Sequence, residues 1–210
     1  MAKRIDPVLL FQQMSEYENK YRELGYQAIA GMDEAGRGPL AGPVVAACVI
    51  LDPEKPVYGV NDSKKLSPKK RAELKKEIEE KALAIGIGIV DEKTIDEINI
   101  LEATKMAMKM AFDQLKIKPD VLLIDALKIP AIPVMQEGII KGDALSVSIA
   151  SASIIAKETR DDLMRELDEK YPQYGFASHN GYGTAQHIQA IRDFGPLPVH
   201  RKTFIGKFIS

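Results

Sequence analysis

Two adjacent carboxylates, Asp33 and Glu34, come shortly before a loop in which Gly36 and Gly38 flank Arg37. Carboxylate oxygens are the usual ligands of hard divalent cations, and glycine backbone allows a ligand with phosphate or hydroxyl groups to approach closely. Together these features indicate metal-dependent chemistry on a phosphate ester. An Asp-Glu pair alone is more often a charged turn after a strand, so the interpretation needs further acids elsewhere in the chain.

The apolar residues 28–30 predict a strand that leads into the acidic pair. Successive side chains of a regular strand point to opposite faces of the sheet. Asp33 and Glu34 therefore reach one site only if the backbone bends, which Gly31 and Gly36 permit.

Asp125 and Asp143 are further candidate ligands. Asp125 ends the apolar run 121–124, a position equally compatible with a functional acid and with an ion pair or cap. Asp143 follows Lys141-Gly142 and on its own fits an ordinary turn aspartate. Four carboxylates within ~5 Å would repel by roughly 3 kcal/mol per pair, which bound cations would offset. Two Mg²⁺ ions ~4 Å apart, bridged by a phosphate, would suit such a cluster.

Other reactive side chains are interpreted as structural. Asp161 and Asp162 lie in a predicted helix, with Asp161 four residues before Arg165, as in an exposed ion pair. Cys48 lies in an apolar run and is interpreted as a core residue in a reducing compartment. No metal or nuclease site is predicted from the three scattered histidines, His179, His187 and His200.

The composition fits one domain with a substantial core: 210 residues, 45% hydrophobic and 28% charged. No run approaches ~20 apolar residues and no signal-like segment opens the chain, so a cytoplasmic location without membrane association is expected. The net charge of -1 gives no global argument for nucleic-acid binding. Residues 61–76 and 195–210 are locally basic and could follow a phosphate backbone, although a solvated surface is the simpler explanation.

Apolar periodicity and capping residues predict an alternation of strands and helices. A helix over residues 6–24 ends at Gly25, and a β-hairpin holds the acidic loop. Asn99 is expected to break the helical segment 91–116. The remaining predicted strands cover 44–51, 84–90, 121–125 and a short segment around 139–140, and the remaining helices cover 68–83, 148–170 and 184–194. This order predicts a mixed sheet flanked by helices.

Seven segments form a recognisable set of motifs. They are Gly31–Val45 (GMDEAGRGPLAGPVV), Asn61–Ser67 (NDSKKLS), Leu123–Ala126 (LIDA), Ile140–Asp143 (IKGD), Ala152–Lys157 (ASIIAK), Gly181–Thr184 (GYGT) and His200–Phe204 (HRKTF). In content and order they closely resemble bacterial ribonuclease HII, the type 2 ribonuclease H. The resemblance covers roughly residues 27–205 and is far more specific than an acidic pair.

The resemblance implies an α/β ribonuclease H-like fold, with a mixed central β-sheet flanked by helices and a small helical C-terminal part. It divides the chain into an N-terminal helical segment, residues 1–26, and a catalytic domain, residues 27–210, that includes the C-terminal helical region. The implied activity is cleavage of RNA in RNA–DNA hybrids. It includes incision 5′ of single ribonucleotides embedded in duplex DNA, leaving 3′-hydroxyl and 5′-phosphate ends.

Carried over residue by residue, the resemblance assigns catalysis and metal binding to Asp33, Glu34, Asp125 and Asp143. It implies Mg²⁺ or Mn²⁺ as the cofactor, with two ions when substrate is bound. It also selects Asp143 rather than Asp161 as the fourth acid, a choice that spacing leaves open.

The resemblance implies substrate contacts as well. The backbone of Gly36-Arg37-Gly38 would recognise the ribose 2′-hydroxyl, the group that distinguishes RNA from DNA. Tyr182 would pack beside the sugar at the RNA-to-DNA junction, and Lys64 would meet phosphates. The implied partners are RNA–DNA hybrids and ribonucleotide-containing DNA duplexes, bound by a monomer.

One departure from the family pattern is Ala126, where many members have glycine. Its side chain is expected to point away from the site, so the departure is expected to be harmless.

Three alternatives remain. The type 3 ribonuclease H prefers hybrids and normally carries a sizeable N-terminal substrate-binding domain, for which this chain is expected to have no room. A nucleotide-binding protein would need Gly-x-x-x-x-Gly-Lys-Ser/Thr, which the loop lacks. A non-catalytic hybrid-binding module is disfavoured because all four acids are present.

Overall fold

Four runs rich in apolar residues and one more polar segment form five strands in the computed structural model, which describes residues 6–208. The strands are β1 Ile29–Ala35, β2 Val44–Ile50, β3 Ala84–Val90, β4 Val121–Asp125 and β5 Met135–Ile139. They form one sheet in the order β3-β2-β1-β4-β5. β2 is antiparallel to β1 and β3, whereas β1, β4 and β5 are parallel. The three parallel strands therefore end at the same side of the sheet, called here the carboxyl edge.

Helices connect the strands and form the C-terminal part of the described chain. They are α1 Pro7–Met14, α2 Glu16–Glu23, α3 Pro68–Lys81, α4 Glu92–Ile98, α5 Ile100–Asp113, α6 Val147–Lys170, α7 Phe176–His179, α8 Ala185–Phe194 and α9 Lys202–Ile205. Across residues 6–208, no helix has the length and apolar character needed to cross a membrane.

The sheet is buried on both faces. Val45 and Val49 of β2 belong to the core shared with α3 and α6, whereas Val44 and Cys48 belong to the opposite core, shared with α5. This alternation follows from the period of two along a strand. The complete burial of Cys48 confirms its interpretation as a core residue.

Helix α6 lies against β1 at backbone distance. A Cβ on Gly31 would be 2.0 Å from the carbonyl carbon of Ser148, so only glycine allows this approach. Other small side chains in the first half of α6, including the fully buried Ala150 and Ala152, also allow close packing against the sheet. The first half of α6 is therefore fixed relative to the strand that carries Asp33.

The predicted helix over 6–24 is wrong in one respect, because it is divided into α1 and α2 at Ser15. The Ser15 hydroxyl donates to the carbonyl of Phe11 at 2.7 Å, a local bond that competes with the regular helix pattern. The break predicted near Asn99 is confirmed: this residue has φ +69 and separates α4 from α5.

β5 lies earlier than the strand predicted around 139–140. Its residues Gln136 and Glu137 are polar, and each has a specific partner. Gln136 bonds to loop backbone at Ile129, and Glu137 pairs with Lys20. β5 therefore lacks the apolar alternation by which a strand is recognised from sequence.

We expect Gly31→Ala to separate α6 from β1 and to lower the free energy of unfolding by about 3 kcal/mol. This is the upper end of the usual cost of inserting a methyl group into a well-packed core. The matched control is Gly206→Ala, where an added Cβ meets no atom within 4 Å. That change should stay within about 0.5 kcal/mol. Urea unfolding measures both, and equal effects would contradict the close approach of helix and strand.

Candidate active site

All nine residues predicted to act in catalysis or substrate binding line one cleft at the carboxyl edge. We call it the acidic cleft, and its volume is about 220 Å³. It is lined by Asp33, Glu34, Gly36, Arg37, Gly38, Lys64, Asp125, Asp143 and Tyr182, together with Ala35, Ser63, Ser153, Lys157 and Arg160.

The end of β1 delivers Asp33 and Glu34 to the acidic cleft. The amide of Glu34 donates to Oδ1 of Asp33 at 2.8 Å. Gly36 follows with φ +93, a backbone conformation that favours glycine and turns the chain away from the strand. Gly31 does not contribute the bend expected of it, because it stays in regular pairing opposite Val49.

Asp33 is a buried carboxyl group close to other acids. Burial raises the pKa of Asp33 well above its usual range, and the charges of Glu34 and Asp125 raise it further. Hydrogen bonds from Ser153 and from the Glu34 amide oppose this rise. Because like charges surround it, the ionised form of Asp33 is one that a cation would stabilise.

Glu34 has a cationic partner within the glycine loop. Arg37 Nη1 lies 3.2 Å from Oε1 of Glu34. Burial raises the pKa of Glu34, while Arg37 opposes the shift. The guanidinium of Arg37 thus faces the carboxylate of Glu34.

Asp125 ties the end of β4 to the turn that carries Asp143. Oδ1 of Asp125 accepts a hydrogen bond from the amide of Gly142 at 2.8 Å, at the start of a short 3-10 turn, Gly142–Ala144. Ala126 follows with φ +52, a left-handed conformation that costs a non-glycine residue about 1 kcal/mol. The expectation that Ala126 is harmless considered only the direction of its side chain. The backbone conformation at this position is one that glycine adopts without that cost.

Asp62 is a fifth acid that sequence reasoning did not single out. Burial raises the pKa of Asp143, and the neighbouring Asp62 and Asp125 raise it further. Asp62 Oδ1 also accepts from the amide of Lys64 at 3.0 Å, which caps the turn Ser63–Lys65. The signal was its place in the NDSKKLS motif, but no spacing rule links it to Asp143.

Two buried arginines hold the loop between β1 and β2. Arg201 donates to the carbonyl oxygens of Gly36 at 2.6 Å and Arg37 at 2.9 Å, and also to those of Gly42 and Pro43. Burial lowers the pKa of Arg201 to about 10, so it remains charged at neutral pH.

Arg160 of α6 holds the same loop from the other side. It donates to the carbonyl oxygens of Pro43, Ala41 and Asn180 at 2.9–3.0 Å. Asn180 lies two residues before Tyr182, so Arg160 connects the loop between β1 and β2 to the segment 180–182. Sequence reasoning missed both arginines; only the HRKTF motif pointed to Arg201.

Tyr182 borders the glycine loop and is 47% exposed. A Cβ on Gly38 would lie 3.7 Å from Cε1 of Tyr182. The Tyr182 carbonyl contacts Nδ1 of His187 at 2.9 Å. The ring is therefore presented to solvent from a segment whose backbone is anchored in the interior.

The histidines are not scattered as expected. His179 and His187 stack with ring centroids 4.5 Å apart, and Nε2 of His187 lies 3.0 Å from Nε2 of His200. Burial lowers the pKa of His200 to about 4, with a further contribution from His187. The group packs beside Phe176 under the Tyr182 segment and is structural, away from the acidic cleft.

The interpretation of Asp161 as an exposed partner of Arg165 is wrong. Asp161 is buried and pairs with Arg71 and with Lys157, whereas Asp162 pairs with Arg165. The i,i+4 rule ignores which face of a helix is buried, and Asp161 lies on the packed face. Neither aspartate lines the acidic cleft.

The donors around the acidic cleft fit hard divalent cations, because they are carboxylate oxygens with mutually raised pKa values. Within residues 6–208, no three Asp, Glu, His or Cys side chains stand ready to ligate one ion. The acids surround the cleft rather than form a closed cage.

A divalent cation should stabilise the protein more at higher pH. Because the pKa values of Asp33 and Asp143 are raised, the folded, metal-free protein holds protons that the unfolded chain has already released. Its stability therefore falls as pH rises from the carboxyl pKa of the unfolded chain to that of the folded protein. Mn²⁺ should therefore raise Tm more at about pH 8 than at about pH 5. Calorimetry measures the gain, and Asp33→Asn should raise the metal-free Tm and reduce the gain. Equal gains at both pH values would argue against a carboxylate site.

Arg201→Ala should lower the free energy of unfolding by about 3–5 kcal/mol, because it leaves buried carbonyl groups without donors. Arg201→Lys should recover only part, since an ammonium lacks the planar fork. Guanidinium unfolding measures the loss. The control is Lys93→Ala, which removes a surface pair with Glu97 and should cost under about 1 kcal/mol. A similar cost for both would refute the role of Arg201 in holding the loop.

The chain is similar to known proteins of one family over most of its length. A family model described as ribonuclease HII matches residues 30–207. The chain is 58% identical over 199 residues to ribonuclease HII of Acetivibrio thermocellus, covering 95% of this chain and 78% of that protein. It is 59% identical over 194 residues to ribonuclease HII of Bacillus anthracis, covering 92% and 75%.

The fold is also that of a solved relative. The crystal structure of ribonuclease H2 from Pyrococcus horikoshii OT3 superposes with a TM-score of 0.72 at 27% identity, covering 87% of this chain and 97% of that one. The predicted ribonuclease H-like fold is confirmed. The chain belongs to the ribonuclease HII family and is a metal-dependent endoribonuclease of the ribonuclease H type.

Proposed function

We propose that the protein cleaves the RNA strand of RNA–DNA hybrids and incises duplex DNA on the 5′ side of a single embedded ribonucleotide. The products carry 3′-hydroxyl and 5′-phosphate ends. The observation that carries the proposal is that four carboxylates, a glycine-rich backbone and an exposed tyrosine line one cleft. The acids suit cleavage of a phosphodiester, and the other two features suit recognition of a sugar.

In this proposal Asp33, Glu34, Asp125 and Asp143 hold two Mg²⁺ or Mn²⁺ ions. The chemistry that two such ions supply when bound is activation of the attacking water and stabilisation of the leaving 3′-oxygen. Burial, and then the charges of neighbouring acids, raise the pKa values of Asp33 and Asp143, so a cation would stabilise their ionised forms. The Glu34 carboxylate, which pairs with Arg37 in the described structure, would be a further ligand.

The ribonucleotide is recognised by the backbone of residues 36–38 and by Tyr182. Because Arg201 holds the carbonyl oxygens of Gly36 and Arg37, this backbone keeps a fixed shape before substrate binds. A rigid row of peptide groups beside an aromatic ring can bond to a 2′-hydroxyl and pack against the sugar. A deoxyribose lacks the hydroxyl and leaves those peptide groups without a partner.

Phosphate contacts are assigned to Lys64 and Lys157, which line the same cleft. Lys157 is held by Asp161 in α6, and Lys64 follows the Asp62-capped turn. We further propose a cytoplasmic monomer in which residues 27–210 are the catalytic domain and residues 1–26 an N-terminal segment that contains α1 and α2. Residues 1–5, 209 and 210 of these two parts lie outside the described residues. Its partners are RNA–DNA hybrids and ribonucleotide-containing DNA duplexes.

We expect Asp125→Asn to lower incision of an end-labelled duplex with one ribonucleotide by at least about a thousandfold, because a neutral amide binds a divalent cation poorly. The matched control is Asp162→Asn, since Asp162 pairs with Arg165 outside the acidic cleft. That variant should keep wild-type activity. Gels run with Mg²⁺, Mn²⁺ or EDTA give the rates and the position of the cut.

Full activity of Asp125→Asn would refute the assignment of the acids, and cleavage with EDTA present would refute the use of divalent ions. A cut on the 3′ side of the ribonucleotide would refute the proposed products. The same wild-type enzyme tested on a continuous hybrid separates type 2 from type 3 behaviour, because a type 3 enzyme prefers the hybrid.

A further inference from the structure

Glu18 on α2 is a fully buried carboxylate outside the acidic cleft. Its Oε1 accepts hydrogen bonds from the hydroxyl of Ser146 at 2.5 Å and from the amide of Ser148 at 3.0 Å. Its Oε2 is buried and has no hydrogen-bond partner among residues 6–208. Burial of a carboxylate costs free energy unless hydrogen bonds or an opposite charge compensate for the loss of water.

The contacts of Glu18 are with the beginning of α6. Ser146 is the N-cap of this helix, and its oxygen accepts from the amide of Ile149 at 3.1 Å. Ser146 therefore donates to Glu18 while it accepts from Ile149, which fixes its hydroxyl in one orientation. Glu18 itself takes the amide of Ser148. Together they satisfy two donors of the first turn, where a negative charge is also favourable.

The same serine is linked to the metal-binding acids. Its amide donates to the carbonyl of Gly142 at 2.9 Å, and the amide of Gly142 donates to Oδ1 of Asp125 at 2.8 Å. Asp143 lies between Gly142 and Ser146 in the chain. A continuous set of hydrogen bonds thus runs from Glu18 through the Asp143 turn to Asp125.

Helix α2 is held in place by contacts independent of Glu18. The Tyr21 hydroxyl donates to Oε2 of Glu137 at 2.5 Å, and Lys20 pairs with the same carboxylate at 3.0 Å. Tyr21 also packs with Ile29 and Ile139. Because β5 ends at Ile139, just before the Asp143 turn, α2 is anchored to the strand on one side of the turn and Glu18 to the helix on the other.

We propose that Glu18 is a positioning residue that fixes the Asp143 turn from outside the acidic cleft. The inference rests on the proposed function, in which Asp143 is a metal ligand. It also makes the N-terminal helices part of the catalytic unit, although the match to the family model begins at residue 30. A ligand on a short turn needs such external support, because displacement by about 1 Å can cost a hundredfold in rate.

The test compares Glu18→Ala with Glu18→Gln and with a matched control, Asp120→Ala. Asp120 is also a carboxylate that accepts two hydrogen bonds, from the amides of Gln27 and Ala28, but it lies at the opposite edge of the sheet. Three quantities are measured: kcat and KM on the single-ribonucleotide duplex, Mn²⁺ affinity by calorimetry without substrate, and hydrogen exchange of residues 142–149.

For Glu18→Ala we expect kcat to fall by about ten- to a hundredfold with KM within about twofold, and Mn²⁺ affinity to fall by about tenfold. Exchange in residues 142–149 should accelerate. Glu18→Gln keeps an acceptor oxygen for both donors and should restore all three quantities to within about threefold of wild type. Asp120→Ala should lower Tm but leave them unchanged. If Glu18→Ala does not fold, Ser146→Ala removes the same link and should shift the three quantities in the same direction.

A Glu18→Ala variant that loses only thermal stability, as Asp120→Ala does, would overturn the proposal. So would failure of Glu18→Gln to restore the turn. If wild-type enzyme cleaves neither a hybrid nor the single-ribonucleotide duplex, the proposed function fails instead. Mn²⁺ affinity and hydrogen exchange then still decide whether Glu18 positions the turn.

Discussion

The backbone contact between α6 and β1 at Gly31 is the constraint on which the site depends. It brings Ser148 against the strand that carries Asp33, so helix and strand share one fixed frame. The Asp143 turn leads into the N-cap of α6. The middle of α6 contributes Lys157 to the cleft, and Arg160, one turn later, donates to the carbonyl of Pro43 in the loop between β1 and β2. One helix thus sets the position of Asp143, Lys157 and the backbone of the glycine loop, which all line the acidic cleft.

The charges around the site are arranged in two layers. The acids face the cleft, whereas Arg160 and Arg201 lie behind the loop with their donors directed to carbonyl oxygens. Carbonyl groups satisfy the guanidinium hydrogen bonds without neutralising the charge, and the charge of Glu92 acts on both arginines. The loop therefore lies between a negative layer of carboxylates and a positive layer of guanidinium groups.

Local patterns predicted most elements of the fold, because strands and caps depend on near neighbours. The acids of the cleft followed from motifs, and the end of an apolar strand marked Asp125. Glu18, Asp62 and Arg160 could not be found in this way, since their partners are distant in sequence: Arg160 lies 117 residues from Pro43. For Asp161, helical spacing suggested the wrong partner because burial decides which face of a helix meets another.

The mixed pairing of the sheet explains why a cleft exists at all. β1 has an antiparallel neighbour on one side and a parallel neighbour on the other. At the carboxyl edge the chain leaves β1 toward β2, whereas the chain leaving β4 crosses back on the opposite side to begin β5. The two connections diverge, which leaves an opening at the ends of β1 and β4 that the Asp143 turn borders. This is a topological switch point, where open sheets form a crevice without any specialised side chain. The strand order therefore creates the crevice whichever side chains line it, and the acids occupy an opening that does not depend on them.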